Sequence, residues 1–171
     1  TLKVALHVEV AVVDVSEIDR RVCKKELNVL EREVATRMIQ NAPTVHRIVA
    51  DGERLFSPLC APFPHLEAVN NGESKHASVA AASVVAKCRR DEIFARIQKR
   101  YAKEFGELRG GGYVNSATKS FLVAFAEKHR RLPPEARHSW PHPYLRELLG
   151  DDFIPMETLA ADQHPAQLTL L

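Results

Sequence analysis

The sequence predicts an α/β fold, in which helices flank a sheet. Two short, mostly apolar segments, 45–50 and 66–69, are each followed by turn-forming residues, as buried strands commonly are. Three longer segments carry apolar residues at helical spacing with charged residues on the other side: 16–40, 79–101 and 116–128. Strands that alternate with amphipathic helices are typical of a sheet covered by helices.

The first elements follow from local patterns. Apolar side chains alternate with others over residues 2–12, which predicts a strand with one buried face. Ser16 and Asp19 have the spacing of a capping box, so we expect the first helix to begin at Ser16 and to end near residue 40, before Pro43. The strand over 45–50 then leads into Asp51-Gly52.

The second half is divided by glycine and proline. Asn70-Asn71-Gly72 predicts a turn after the strand over 66–69, and Gly110-Gly111-Gly112 predicts a loop between the last two helices. Pro133-Pro134 marks a further break. We expect residues 1–149 to form one domain and residues 150–171, which are polar and irregular, to be a flexible tail.

Composition indicates a water-soluble globular protein. Of the 171 residues, 45% are hydrophobic and 27% charged, and no apolar run approaches the roughly 18 residues of a membrane span. Because no signal pattern opens the sequence, a cytoplasmic location is expected. Cys23, Cys60 and Cys88 lack metal-binding or disulfide spacing, which favours buried, reduced thiols.

A cluster of basic residues lies on the helix predicted over 79–101 and just beyond it. The net charge of +2 does not by itself indicate a polyanionic partner. The cluster is dense enough to contact phosphates, although a solvated helix face explains it equally well. Its members are Lys87, Arg89, Arg90, Arg96, Lys99, Arg100 and Lys103.

Two carboxylates follow the predicted strands. Asp51 comes directly after the strand over 45–50, and Glu73 comes after the turn that ends the strand over 66–69. Carboxylate oxygens near strand ends can hold Mg²⁺ or Mn²⁺ for phosphodiester chemistry. Taken alone, Asp-Gly is more often a turn than a metal site.

A long motif carries a family resemblance. Residues 72–91 read G-E-S-K-H-A-S-V-A-A-A-S-V-V-A-K-C-R-R-D, which resembles the stretch in ribonuclease HII where an acidic residue precedes A-A-S-x-x-A-K and R-D. V-A-D-G at 49–52 and E-I-D at 17–19 are similar to other motifs of the family. So are G-G-G-Y at 110–113, followed by Thr118, and P-P…R-H-S-W over 133–140.

The resemblance implies a ribonuclease H-like fold, with a mixed sheet flanked by helices. It also implies an endonuclease that cuts the RNA strand of RNA/DNA hybrids, and cuts at ribonucleotides embedded in duplex DNA, by two-metal hydrolysis. Asp51 and Glu73 match the third and fourth of the family's metal-binding carboxylates, and are therefore the expected catalytic residues and ligands of Mg²⁺ or Mn²⁺. The family most often has Asp at the fourth place, so the longer Glu73 is a departure.

The same resemblance assigns substrate contacts. Tyr113 matches the tyrosine that packs against the sugar where RNA meets DNA, although a tyrosine among glycines is otherwise a loop anchor. Lys87 and Arg90 are candidate phosphate contacts, while Ser83 is expected to permit close packing. Asp91 is expected to form an ion pair or a cap rather than to bind metal.

The family's D-E-x-G-R-G motif, which supplies two more metal ligands, does not occur in the sequence. We therefore expect the N-terminal part of the domain, including its first strand or strands, to precede Thr1. With an incomplete catalytic set, this chain alone should be inactive. The alternatives are a non-catalytic hybrid-binding or remnant domain, and a generic α/β domain with a basic helix.

The last five residues resemble a docking peptide. Gln167-Leu168-Thr169-Leu170-Leu171 is similar to the short motif with which bacterial replication and repair proteins bind the sliding clamp. The resemblance predicts that Gln167, Leu168, Leu170 and Leu171 insert into a pocket of the clamp.

Overall fold

A computed structural model describes residues 7–111, 113 and 115–150 of the chain. Short 3₁₀ turns lie at Ser57–Leu59 and Pro143–Leu145. The helices and strands, in chain order, are α1 (Val15–Cys23), α2 (Leu27–Asn41), β1 (Ile48–Asp51), α3 (Glu53–Phe56), β2 (Leu66–Val69), α4 (Gly72–Lys75), α5 (Ala77–Phe105), α6 (Ser116–His129) and α7 (Arg146–Leu149).

The two strands pair in parallel, with Ile48 opposite Leu66 and Asp51 opposite Val69. Strand β2 has the bounds that the sequence predicts, whereas β1 begins three residues later than expected and includes Asp51. Beyond the ladder, the Gly52 N–H donates to the Val69 carbonyl at 2.7 Å. Because both strands run the same way, their carboxyl ends lie at one edge of the sheet.

The strand predicted over residues 2–12 is not confirmed over the part of it that the structure describes, residues 7–12. Residues 1–6 lie outside the described residues, and residues 7–12 have no regular secondary structure. An extended segment becomes a strand only when its backbone pairs with a neighbour, and β1 and β2 pair with each other in the described part of the chain. The apolar side chains of Val8, Val10 and Val12, which the predicted strand would bury on one face, are exposed.

The single helix predicted over 16–40 is wrong, because the chain forms α1 and α2 with a break at residues 24–26. Lys25 has a φ of 60°, which ends α1 in the left-handed region. The predicted capping box is absent too: α1 begins at Val15 after Asp14, and no side chain caps it. The other two long helices are confirmed, and α5 extends the prediction at both ends.

The chain divides into two compact units. Of the described residues, the first unit contains 7–12 and 26–89, and the second contains 13–25 and 90–150. Helix α5 begins in the first unit and continues into the second. The buried apolar side chains of the first unit come from α2, the 3₁₀ turn and β2: Leu30, Val34, Leu59 and Leu66.

The second unit has an aromatic core between α5 and α6. Tyr101, Leu108 and Phe125 are buried together, and the rings of Tyr101 and Phe125 meet edge to face at 5.6 Å. The Tyr101 hydroxyl donates to the Glu135 carboxylate at 2.7 Å. Burial, followed by this bond to an anion, raises the pKa of Tyr101 to about 12, so the phenol stays protonated. A second cluster packs α6 against the described segments that follow it: Leu122, Ala126, Leu132 and Leu145.

An Asp19 clasp joins α1 to the segment after Pro133-Pro134 within the second unit. The Asp19 carboxylate accepts hydrogen bonds from the backbone N–H groups of His138 and Ser139, each at 3.0 Å. It also accepts one from the Ser139 hydroxyl at 2.5 Å. Asp19, expected in a cap, therefore links two segments that are far apart in the chain.

The cysteines, the lengths of the helices and the C-terminal segment were also subjects of sequence predictions. The cysteines are free thiols, but Cys23 and Cys88 are exposed, which corrects the expectation that all three are buried. None of the helices in the described residues is both long enough and apolar enough to cross a bilayer. The predicted tail over 150–171 lies outside the described residues beyond Gly150.

Candidate metal-binding site and substrate contacts

Asp51 is the last residue of β1, and its side chain is exposed at the edge of the sheet. Its Oδ1 accepts a hydrogen bond of 3.0 Å from the backbone N–H of Gly72. Gly72 is the first residue of α4, and Glu73 is the next. The structure therefore joins the Asp51 carboxylate to the segment that carries Glu73.

Gly72 allows this approach because it has no side chain. A Cβ at Gly72 would lie 3.1 Å from Val69 Cγ2, 3.3 Å from Val79 Cγ1 and 3.4 Å from Asp51 Cβ. The first two distances are closer than ordinary van der Waals contact. A side chain at Gly72 would therefore require the side chains of Val69 and Val79 to shift by a few tenths of an ångström.

Two side chains on α5 contact the Glu73 carboxylate. The Ser83 hydroxyl donates to Glu73 Oε2 at 3.0 Å, and Lys87 Nζ lies 3.8 Å from the same oxygen. Ser83 therefore holds a candidate ligand, a role that its predicted packing function did not include. The bend at His76 separates α4 from α5, so helical spacing gives no signal for the contact between residues 73 and 83.

Asn70, which follows β2, is hydrogen-bonded to Glu53, which follows β1. Asn70 Nδ2 donates to Glu53 Oε2 at 2.7 Å, and Asn70 Oδ1 accepts from the Glu53 N–H at 3.3 Å. Lys75 Nζ donates to the Asn70 carbonyl at 3.0 Å. The Glu53 carboxylate is therefore used in a contact between loops. Asp51 and Glu73 are left as the candidate metal ligands near the strand ends.

The donor chemistry of Asp51 and Glu73 fits a hard divalent cation, because both offer exposed carboxylate oxygens. Each uses one oxygen in the contacts above. Within the described residues, no group of three or more His, Cys, Asp or Glu side chains is arranged to hold a metal ion. The two carboxylates fit part of a metal site.

Tyr113 and Arg90 meet in the second unit. The guanidinium carbon of Arg90 lies 4.4 Å from the centroid of the Tyr113 ring. Both Arg90 Nε and one terminal nitrogen donate to Asp91 Oδ1, at 3.1 and 2.7 Å. The Arg90 side chain is only 11% exposed, whereas Tyr113 is 39% exposed. The expected ion pair of Asp91 is present, and Arg90 faces an aromatic ring.

The glycine loop positions the Tyr113 backbone. The Tyr113 N–H donates to the Gly110 carbonyl at 3.1 Å, and Asn115 Nδ2 donates to the same carbonyl at 2.9 Å. Asn115 Oδ1 in turn caps α6 by accepting from the Thr118 N–H. Gly110 has a φ of 98°, and a Cβ there would lie 2.5 Å from Asn115 Oδ1, so only glycine fits.

Of the remaining predicted site residues, the structure describes Lys87 but not those of the C-terminal motif. Lys87 is exposed, and its Nζ lies 3.8 Å from Glu73 Oε2, so its contact with a phosphate stays a prediction. The expected clamp-binding residues lie outside the described residues: Gln167, Leu168, Leu170 and Leu171.

Comparison with known proteins connects these features to a family. A family model described as ribonuclease HII matches residues 3–142. Ribonuclease HII of Thermofilum pendens is 30% identical over 157 residues, which cover 80% of this chain and 69% of that protein. Ribonuclease HII of Methanocella arvoryzae is 33% identical over 148 residues, covering 81% and 64%.

The fold is also found in a solved structure. The crystal structure of ribonuclease H2 from Pyrococcus horikoshii superimposes with a TM-score of 0.63 at 24% identity, over 82% of this chain and 67% of that one. This match confirms the expected α/β class and its ribonuclease H-like architecture.

The match to ribonuclease HII of Methanococcus vannielii is shorter, with 38% identity over 73 residues, 43% of this chain and 28% of that protein. The chain thus spans between 28% and 69% of the length of these curated relatives, and its motifs, its fold and the family match over residues 3–142 together show that it belongs to the ribonuclease HII family.

Proposed function

We propose that this chain belongs to an endonuclease that hydrolyses the RNA strand of RNA/DNA hybrids and cuts at ribonucleotides embedded in duplex DNA. One observation carries the proposal: the Asp51 carboxylate is bonded to Gly72, the residue before Glu73. This arrangement supports two carboxylates acting on a common divalent cation, Mg²⁺ or Mn²⁺.

Asp51, Glu73, Lys87 and Tyr113 would each have a different role in this hydrolysis. When bound, divalent cations would lower the pKa of an attacking water and stabilise the leaving oxygen, giving a 5′-phosphate and a 3′-hydroxyl. The hydrogen bond from the Gly72 N–H would orient the Asp51 carboxylate toward the cation. Ser83 would orient Glu73 in the same way, and Lys87 would bind a phosphate oxygen beside it. Tyr113 would contact the ribose, since the 2′-hydroxyl distinguishes RNA from DNA.

Ligand count sets a limit on the isolated chain. A two-metal site would need more carboxylate oxygens than Asp51 and Glu73 supply. We therefore expect no hydrolysis by the 171-residue chain alone. A non-catalytic hybrid-binding domain remains the alternative function.

A cleavage assay separates the two functions. The substrate is duplex DNA with one ribonucleotide, in Mg²⁺ or Mn²⁺, and the proteins are the chain alone and an extended chain. The extended chain carries at its N-terminus a segment with the family's D-E-x-G-R-G motif. Cleavage by the extended chain supports the nuclease, whereas binding of the duplex without cleavage by either protein supports the alternative.

A basic stripe on α5, made of Arg96, Lys99 and Lys103, supports binding of a nucleic acid. The three positions lie three and four residues apart, hence on one helix face, and all three side chains are exposed. None has an ion-pair or hydrogen-bond partner among the described residues, in contrast to Arg100, which pairs with Glu135. The stripe is about 10 Å long at 1.5 Å per residue, which is the rise of roughly three phosphates along one strand.

Replacing all three residues of the basic stripe by Gln is expected to weaken binding of a hybrid duplex. Because each phosphate contact releases counterions, the slope of log K against log salt should decrease in magnitude by roughly two to three. Affinity measured by fluorescence anisotropy across a salt series gives this slope. A charge-conserving variant that combines Arg96→Lys, Lys99→Arg and Lys103→Arg should keep it. An unchanged slope in the Gln variant would exclude the stripe as a phosphate contact.

The C-terminal motif gives a separate prediction about a partner. Deletion of residues 167–171 should lower the affinity of the chain for a bacterial sliding clamp at least ~10-fold, because the tethered peptide would supply the apolar anchors. Surface plasmon resonance on immobilised clamp measures the effect. Thr169→Ala alters the one position of the motif that carries no anchor and should bind normally. Equal affinity after the deletion would remove this partner from the proposal.

A further inference from the structure

The contact between Arg90 and Tyr113 gives Arg90 a role different from the one its sequence motif implies. A guanidinium that binds phosphate must offer its N–H groups to solvent. The Arg90 side chain is 11% exposed, and two of its nitrogens already donate to Asp91 Oδ1. Its carbon lies 4.4 Å from the ring centroid of Tyr113. The guanidinium is therefore held between a carboxylate and an aromatic face.

Asp91 and the helix give this guanidinium a fixed place. Arg90 and Asp91 are consecutive residues within α5, far from its ends, so their backbone is held by the hydrogen bonds of the helix. Nε and the terminal nitrogen converge on one carboxylate oxygen, which restricts rotation of the guanidinium plane. The Arg90 side chain thus projects from a rigid element.

Tyr113, in contrast, comes from a glycine loop. Gly110 and Gly111 precede it with φ values of 98° and 61°. Backbone bonds from the Tyr113 N–H to Gly110 and from the Asn115 N–H to Tyr113 fix the main chain, but they leave the ring free to rotate about its side-chain bonds. The Arg90 guanidinium over the ring face is a contact that favours one orientation of the ring.

We propose that Arg90 is a positioning residue that holds the Tyr113 ring in the orientation needed to contact a ribose, and that Asp91 fixes Arg90 in turn. The inference rests on the proposed role of Tyr113 in sensing the sugar. It makes sugar discrimination depend on a side chain that does not itself contact the substrate.

The experiment measures discrimination, defined as the affinity for a duplex with one ribonucleotide divided by the affinity for the all-DNA duplex of the same sequence. The 171-residue chain is compared with Arg90→Gln, Arg90→Lys and Tyr113→Ala by anisotropy over a salt series. Arg90→Gln should lower discrimination roughly threefold to tenfold, the range expected from loss of a cation–π contact. Arg90→Lys, which keeps the cation but not the planar fork, should fall between Arg90→Gln and the parent. Arg109→Gln, an exposed arginine paired with Glu107 near the same loop, is the matched control and should discriminate normally.

Two further readouts separate positioning from a phosphate contact. In a Tyr113→Ala background, Arg90→Gln should cost no further discrimination, because the two residues act as one unit. The salt slope should stay that of the parent. Equal loss of affinity for both duplexes with a shallower slope would overturn the proposal in favour of a phosphate contact, as would unchanged discrimination. Should Arg90→Gln fail to fold by circular dichroism, Asp91→Asn is the second variant, and undiminished discrimination in it and in Arg90→Lys would overturn the proposal.

The same data distinguish this inference from the proposed function. A parent chain that binds both duplexes equally contradicts ribose sensing by Tyr113 and with it the role of Arg90. A discriminating parent with discriminating Arg90 variants contradicts the role of Arg90 alone.

Discussion

Asp51→Asn is expected to reduce cleavage by the extended chain at least ~100-fold, since even residues that only orient metal ligands commonly cost 10- to 100-fold. Asparagine has the shape of aspartate and keeps an oxygen that can accept the Gly72 N–H. The loop should therefore stay in place while the negative charge on the ligand is lost. Initial rates on a duplex with one ribonucleotide, at saturating Mg²⁺ or Mn²⁺, measure the effect.

Glu67→Gln is the matched control for Asp51→Asn. Glu67 is an exposed carboxylate on β2 of the same sheet, and it is paired with Arg47 at 2.5 Å. Its replacement should change the rate less than ~2-fold, because exposed ion pairs contribute little to stability and this one lies outside the proposed metal site. Full activity in Asp51→Asn would show that the assignment of Asp51 is wrong.

Asp19→Ala is expected to lower the free energy of unfolding of the second unit by about 3 kcal/mol. The substitution removes the three hydrogen bonds of the Asp19 clasp. Hydrogen bonds to charged groups are among the stronger ones, and the N–H groups of His138 and Ser139 would lose their acceptor. Urea unfolding followed by fluorescence reports on this region directly, because the single tryptophan, Trp140, follows Ser139 in the chain.

The control for the clasp is Asp14→Ala. Asp14 precedes the same helix and carries the same charge, but its side chain makes no capping hydrogen bond. We expect its replacement to change stability by less than about 0.5 kcal/mol. Similar losses in both variants would mean that negative charge near α1, rather than the clasp, accounts for the effect.

The sequence predicted those elements whose cause is local. Strand β2 is a short apolar segment closed by Asn70-Asn71-Gly72, and the structure gives it the predicted bounds. Helix α5 is rich in alanine and keeps its helical spacing over many turns, so both its type and its approximate place are confirmed. In both cases, neighbouring residues alone favour one backbone conformation.

The errors have tertiary causes. Apolar spacing continues from α1 into α2, so the pattern does not register the left-handed turn at Lys25. Alternation over residues 2–12 gives a strand only where a partner strand is available, and residues 7–12 have none among the described residues. Asp19 satisfied a local capping pattern, yet its carboxylate is used by residues more than a hundred positions away.

For the candidate site, the sequence predicted the candidate residues but not the contacts that hold their side chains in place. The position of Asp51 and Glu73 at one edge follows from parallel pairing of two strands that each end in a turn. The contacts of Ser83 with Glu73 and of Arg90 with Tyr113 depend on the path of the chain between elements. No spacing rule along one helix connects these pairs.

Mn²⁺ binding tests most directly whether Asp51 and Glu73 bind the same divalent cation. Electron paramagnetic resonance of free Mn²⁺ gives the affinity of the 171-residue chain, of Asp51→Asn and of Glu73→Gln. We predict one weak site in the parent that either substitution weakens at least ~10-fold. A parent that binds no Mn²⁺, or a variant in which the affinity of the parent's site is unchanged, would contradict a shared cation.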